Sequence, residues 1–146
     1  MNQFKLQFSA SEIPSYSKRY SYQSDLVLND VIISAKEKGF LTKTEFLKIC
    51  EWKTPRSKHL CALNSDEFIR EITFIAFKTN TDQLRIEILT LLKGVSWSTA
   101  SVILHFCHKI EFPILDFRAL YSLNYKEVPK YDYIFWKNYT EYCRGL

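Results

Sequence analysis

One stretch constrains this chain more than any other: Leu91-Leu92-Lys93-Gly94-Val95-Ser96-Trp97-Ser98-Thr99-Ala100-Ser101-Val102-Ile103-Leu104, followed at close range by Phe112-Pro113-Ile114-Leu115-Asp116. An apolar helical run stops at a glycine and the chain turns within a few residues. A second helix then starts at small hydroxyl residues, with Ala100, Ile103, Leu104 and Cys107 expected to face inward. The pattern predicts a helix-hairpin-helix over about residues 82–108. Helix starts leave backbone N–H groups without partners and carry partial positive charge, so a hairpin that presents one at the surface is prepared to hold an anion such as a DNA phosphate. The same spacing also describes an ordinary αα-hairpin whose turn has only a structural task.

The rest of the chain is read around that hairpin. At 146 residues and 47% hydrophobic, it can bury one sizeable core, which predicts a single helical domain over 24–146 preceded by an N-terminal arm over 1–23. A net charge of +4 permits a nucleic-acid partner without demanding one. Cys50, Cys61, Cys107 and Cys143 form no CxxC pair and match no zinc or iron–sulfur spacing, so they are expected to be buried thiols, with no metal and no cofactor. The start, Met1-Asn2-Gln3-Phe4-Lys5, lacks the apolar run of a signal peptide, and no segment approaches bilayer length; a cytoplasmic protein without a membrane partner is expected.

Along the arm, Phe4, Leu6 and Phe8 alternate as a short extended segment would, and little regular structure is expected up to residue 23. Ser24 is placed to cap a first, mostly buried helix that ends at Gly39, a residue suited to the left-handed conformation. Thr42 and Glu45 form a capping-box pattern for a second helix, with Phe46, Leu47, Ile49 and Cys50 on its apolar face and Pro55 beyond its end. Residues 36–58 carry seven Lys/Arg against three acidic residues, a pattern shared by a solvated helical face and a phosphate-binding one. A short helical segment follows at Lys58 to Leu63. Asn64 or Ser65 then caps a helix with Phe68, Ile69, Ile72, Ile75 and Ala76 inward, and Thr81 caps another with a Leu84, Ile88, Leu91 and Leu92 stripe. After the hairpin, Phe112 to Leu115 reads as an extended link, Asp116 as the N-cap of a helix over Phe117 to Leu123, and Tyr131 to Arg144 as an aromatic-rich last helix in which Ile134, Phe135, Trp136, Tyr139 and Tyr142 supply the apolar payload. With no strand-turn-strand spacing or repeat, the fold class is all-α with seven or eight helices.

The run Leu-Leu-Lys-Gly-Val-Ser-Trp-Ser-Thr-Ala, followed by Phe-Pro-Ile-Leu-Asp, resembles the signature of the helix-hairpin-helix (HhH-GPD) DNA glycosylase superfamily of base-excision repair. The likeness covers about residues 89–121 and is locally greatest to the adenine-specific mismatch branch. Ser98 precedes Asp116 by eighteen residues, the separation that family keeps between its hairpin nucleophile position and its catalytic Asp. The resemblance implies that Gly94, Val95 and Ser96 offer amides to a phosphate, and that Asp116 stabilises an oxocarbenium-like sugar as the base leaves. It also implies that the enzyme is monofunctional, because Ser98 stands where bifunctional members have Lys and a hydroxyl forms no Schiff base.

The expected partner is therefore double-stranded DNA carrying a damaged or modified base. Asp116 is the candidate catalytic residue, and Lys93, Gly94, Val95, Ser96, Trp97, Ser98, Thr99 and Arg118 are the candidate DNA contacts. Trp97 at the turn either stacks on a base, worth about 1 to 3 kcal/mol, or plugs the hairpin into the core. His105 and His108 share a helix face but lack a third ligand. Two other readings stay open. Ser96 in place of the family's glycine, and only thirty residues after Asp116 with a shallow pocket expected, suit a DNA-binding relative without excision. The mild charge and aromatic last helix suit a helical protein-interaction module.

Overall fold

The computed structural model describes residues 3–127 and 129–146. Met1 and Asn2, the first residues of the predicted arm, lie outside the described residues. The fold is all-α, as the absence of strand signals predicts. Among the described residues the α-helices are α1 (Ile13–Ser17), α2 (Asn29–Lys38), α3 (Lys43–Lys53), α4 (Lys58–Cys61), α5 (Asp66–Lys78), α6 (Asp82–Leu89), α7 (Trp97–Cys107), α8 (Phe117–Ser122) and α9 (Tyr133–Arg144), with 3₁₀ turns at Ala10–Glu12, Tyr22–Leu28 and Pro55–Ser57. That is nine helices rather than seven or eight. The addition is α1, in the arm where little regular structure was expected. Its entry is a 3₁₀ turn that starts at Ser9, which forms a capping box with Glu12, and Pro14 sits in the first turn of α1, where its missing N–H costs nothing.

Helix boundaries follow local chemistry. Thr42 and Glu45 close the expected capping box on α3, and Gly39 ends α2 at φ 82°. Before Pro55, Thr54 leaves the helix at φ −143°. Ser65, rather than Asn64, caps α5 by accepting from the Phe68 N–H. Ser24 does not cap: α2 begins only at Asn29, and the Ser24 hydroxyl donates to Asp25 Oδ1.

The buried faces depart further from expectation. The first helical stretch is not mostly buried; Leu28, Val31 and Ala35 are covered while Leu26, Val27 and Ile33 face solvent. On α5 the buried stripe is Ile69, Ile72, Thr73 and Ala76, which leaves Phe68 and Ile75 outside. On α6 it is Arg85, Ile86 and Leu89, and Leu84 and the following Leu91 are exposed. Arg85 is inside because it ties helix ends together. Its Nε donates to Ala76 O at 3.1 Å, its Nη2 donates to Thr79 O, and Asp82 pairs with Nη1. Ile134 on α9 likewise points out.

The core is organised on α7, which packs against α2, α3 and α6. Eight of its eleven residues are buried, more than the predicted four, as befits a helix apolar on all sides. The arm lies along α8 as an extended segment: Lys5 N–H donates to Leu123 O and Gln7 N–H to Ser122 O. This sets Phe4 in an aromatic cluster with Tyr125, Phe135, Tyr139 and Tyr142 at centroid distances of 5.5 to 5.9 Å, within the range where ring pairs attract beyond simple burial. The cysteines are free thiols, three of them buried, and burial pushes the Cys107 thiol up to about 12. Among the described residues no helix is long and apolar enough to cross a membrane.

Candidate nucleic-acid interface

Asp116 stands at the junction of the extended link and α8. Its extended backbone, φ −144° and ψ 170°, and its Oδ1, accepting from the Ala119 N–H at 2.8 Å, make it the N-cap that its position predicts. The link that delivers it is pinned at two points. The Ser101 hydroxyl on α7 donates to Ser98 O at 2.7 Å and accepts from Leu115 N–H at 2.9 Å, and the Tyr139 hydroxyl donates to Ile114 O at 2.6 Å. Asp116 is thus held against the first turn of α7 by buried side chains on two helices. Neither Ser101 nor Tyr139 is singled out by sequence pattern, because a serine inside an apolar helix and a tyrosine in an aromatic one carry no visible signal of a distant partner.

The carboxylate is not sealed in. Its side chain is 25% exposed and opens into a cleft of about 570 Å³ lined by the end of α3 and the following turn, by Ser98, by the start of α8 and by Tyr131. Among the described residues three cationic side chains, Lys53, Arg56 and Arg118, line that cleft against the one carboxylate of Asp116. Lys53 Nζ lies 3.7 Å from Asp116 Oδ2. Burial, and then the negative charge of Asp116, push the Tyr131 phenol up, so it stays protonated at neutral pH. The cleft therefore offers one fixed anion, an excess of cations, and hydroxyl donors.

Of the candidate residues, the cleft brings together Asp116, Ser98 and Arg118. Lys93, Gly94, Val95, Ser96, Trp97 and Thr99 are not among its lining residues, and the structure gives them other tasks. Val95 is buried and its N–H donates to Leu92 O, so it has no amide to offer a phosphate. Thr99 is buried and its N–H donates to the Ser96 hydroxyl at 3.3 Å, which makes Ser96 the N-cap of α7. Trp97 is half-buried and packs on the core, the plug rather than the free ring. Lys93 and Ser96 are exposed. The N–H groups of Gly94, Ser96, Trp97 and Ser98 donate to no partner among the described residues, so the unpartnered amides of the turn are these, not that of Val95.

What shapes the turn is a residue far from it in sequence. Asn64, 4% exposed, donates from Nδ2 to Cys61 O at 2.9 Å and to Lys93 O at 3.0 Å, and its Oδ1 accepts from Lys93 N–H at 2.9 Å. Asn64→Ala leaves buried backbone groups unmatched and is expected to destabilise by about 2 kcal/mol, measured by urea unfolding. An unchanged midpoint would show that solvent replaces the bridge.

The two histidines do not share a ligand. His105 Nδ1–H donates to Phe112 O at 2.8 Å, and His108 Nδ1 accepts from Ile110 N–H at 3.0 Å. Among the described residues no three His, Cys, Asp or Glu are grouped to hold a metal ion. Lys53, Arg56 and Tyr131 are among the cleft residues that sequence reasoning did not single out. Lys53 and Arg56 lie within the basic stretch 36–58, the only signal that pointed toward them. Compared with models of known protein families, with curated proteins and with solved structures, the chain matches none.

Proposed function

We propose that this chain binds double-stranded DNA through its basic cleft and the hairpin before α7. As the likeness over residues 89–121 implies, it would hydrolyse the N-glycosidic bond of a damaged or modified base without β-lyase activity. The observation that carries this reading is the open Asp116 carboxylate sharing a cation-lined cleft with Ser98. A base extruded from the duplex brings its sugar beside a fixed negative charge, while the flanking phosphates meet Lys53, Arg56 and Arg118. A held carboxylate favours the positive charge that develops on the sugar as the bond to the base breaks, and water completes the reaction at the anomeric carbon. Among the described residues no second carboxyl lines the cleft, so the reading suits a base that departs without being protonated, such as an alkylated purine.

DNA binding without excision is a second reading with its own support. Ser96 is committed to capping α7 and Lys53 already faces Asp116, an arrangement that serves phosphate retention as well as chemistry.

The experiment is binding of a labelled duplex across a salt series, paired with an abasic-site assay on duplexes carrying alkylated or mismatched bases. If the three cleft cations meet phosphates, log affinity falls against log salt with a slope of about −3, and Arg56→Ala and Arg118→Ala each reduce that slope by about 1. A slope near zero would sink both DNA readings and leave a helical interaction module. A steep slope with no base released from any duplex would leave the second reading alone.

A further inference from the structure

The far end of α7 borders a second hollow, of about 530 Å³. Ser98 near the start of that helix lines the Asp116 cleft and Cys107 at its end lines this hollow, so the two lie about 14 Å apart along the axis. The walls are the C-terminal ends of three helices, with Lys36 and Lys38 on α2, Lys78 on α5 and Lys109 just beyond α7. Cations at such ends often serve the carbonyls there. In this fold other donors meet those carbonyls. Gly39 N–H donates to Ala35 O at 2.8 Å, Thr79 N–H to Ile75 O at 2.9 Å and His108 N–H to Leu104 O at 3.1 Å, while the buried Arg85 guanidinium donates to Ala76 O and Thr79 O.

The remaining charge is turned toward the hollow's open space. Lys38 is paired with Glu45 and Arg85 with Asp82. Among the described residues Lys36, Lys78 and Lys109 have no carboxylate partner, and Glu37 is the one carboxylate in the lining. Burial, and then the Arg85 charge, hold the His108 imidazole below its ordinary range, so it adds no charge at neutral pH. Three ammoniums against one carboxylate leave an excess of two positive charges. The N–H groups of Asn80 and Lys109, at the same rim, donate to no partner among the described residues. Below the rim the surface is apolar: Ala35 and Cys107 are buried in the floor, and the Phe74 ring stands 45% exposed with Lys78 Nζ 5.6 Å from its centroid.

We propose that this hollow binds a small organic phosphate monoester, a nucleoside monophosphate being the simplest that fits its charge and its exposed ring. A monoester carries about −1.5 to −2 charge near neutrality and so matches the excess, whereas a carboxylate or a phosphodiester brings a single negative charge. Its oxygens meet the ammoniums and the open N–H groups, and its planar body lies on Phe74. The volume is that of a pocket for one small molecule. The site shares no residue with the Asp116 cleft and does not depend on the DNA reading.

The test is calorimetric titration of the full chain with adenosine monophosphate, adenosine, inorganic phosphate and phenyl phosphate. Saturable binding of adenosine monophosphate is expected, at least tenfold tighter than that of adenosine or of inorganic phosphate. Lys36 and Lys109 are exposed, so their replacement spares the core; Lys36→Gln and Lys109→Gln are each expected to weaken binding about tenfold, within the range for one hydrogen bond to a charged group. Phe74→Ala is expected to cost about tenfold as well, within the range for one base–aromatic stack. Lys126→Gln, which removes an exposed charge outside the hollow, leaves the affinity unchanged. Phenyl phosphate binding more weakly than adenosine monophosphate assigns the site to nucleotides, and equal binding assigns it to aryl phosphates at large. No saturable binding of either monoester would overturn the proposal, as would inorganic phosphate or adenosine binding as tightly as the nucleotide, or Lys126→Gln losing as much as Lys109→Gln. A chain that binds no duplex but binds the nucleotide fails the DNA reading and upholds this one.

Discussion

Replacing Gly94 with alanine is expected to lower stability by about 3 kcal/mol, from left-handed backbone strain of about 1–2 kcal/mol and overpacking of about 1–3 kcal/mol. Gly94 sits at φ 80°, where a side chain is strained in any surroundings. A Cβ there would also lie 2.7 Å from Cys61 Sγ, 2.9 Å from Cys61 N and 3.1 Å from Ser57 O. Two of those three atoms are backbone, so relief requires α4 and the turn before it to move away from the turn at Gly94. The matched control is Gly39→Ala. Its φ is 82° and nothing lies within 4 Å of the added atom, so only the strain remains, about 1–2 kcal/mol. Thermal unfolding would show a drop of about 6–12 °C for Gly94→Ala and clearly less for Gly39→Ala. Equal shifts would mean that close approach to Cys61 contributes nothing. The comparison matters for function because the family likeness assigns this glycine to phosphate contact, whereas the structure gives it a packing reason of its own.

Under the proposed excision reading, Asp116→Asn is expected to reduce base release on the order of a hundredfold or more, the scale of removing one preorganised electrostatic stabiliser. The substitution is chosen because asparagine keeps the cap: it accepts from Ala119 N–H about as well as aspartate, so α8 and its neighbours stay in place. The charge alone is removed. Lys53 then faces no carboxylate across its 3.7 Å gap, the cleft becomes more positive, and duplex affinity should hold or rise. Asp116→Ala separates the two tasks, since it loses the cap as well and costs about 1 kcal/mol of stability. Base release that survives Asp116→Asn would exclude this carboxylate from the chemistry. A loss of duplex affinity in Asp116→Asn would show that the residue positions α8 rather than stabilising charge.

Features decided within a few residues were legible before any coordinates. The Thr42–Glu45 box, the left-handed Gly39, the break at Pro55 and the Asp116 cap each depend on neighbours no more than four positions away, and each stands where its spacing places it. The choice of buried face was less legible. Leu84 and the following Leu91 have the greater hydrophobicity, yet Arg85 is taken inside with Ile86 and Leu89 on α6, because its guanidinium meets carbonyls at the end of the preceding helix. A hydrophobic period records which residues prefer burial, not which face a distant helix covers.

The interval between Ser98 and Asp116 is a property of the chain, and so are the turn at Gly94 and the Ser96-capped start of α7, since short-range sterics and capping chemistry decide them; Thr81, expected to cap α6, makes no capping hydrogen bond with its side chain. Whether that aspartate would be closed in or open was settled by contacts between segments far apart: Ser101 and Tyr139 pin the link, and Lys53, Arg56 and Tyr131 arrive from other helices and turns to line the cleft. Charge facing charge across a cleft is a property of packing. No local pattern encodes it, because the groups that meet there share no period and no spacing.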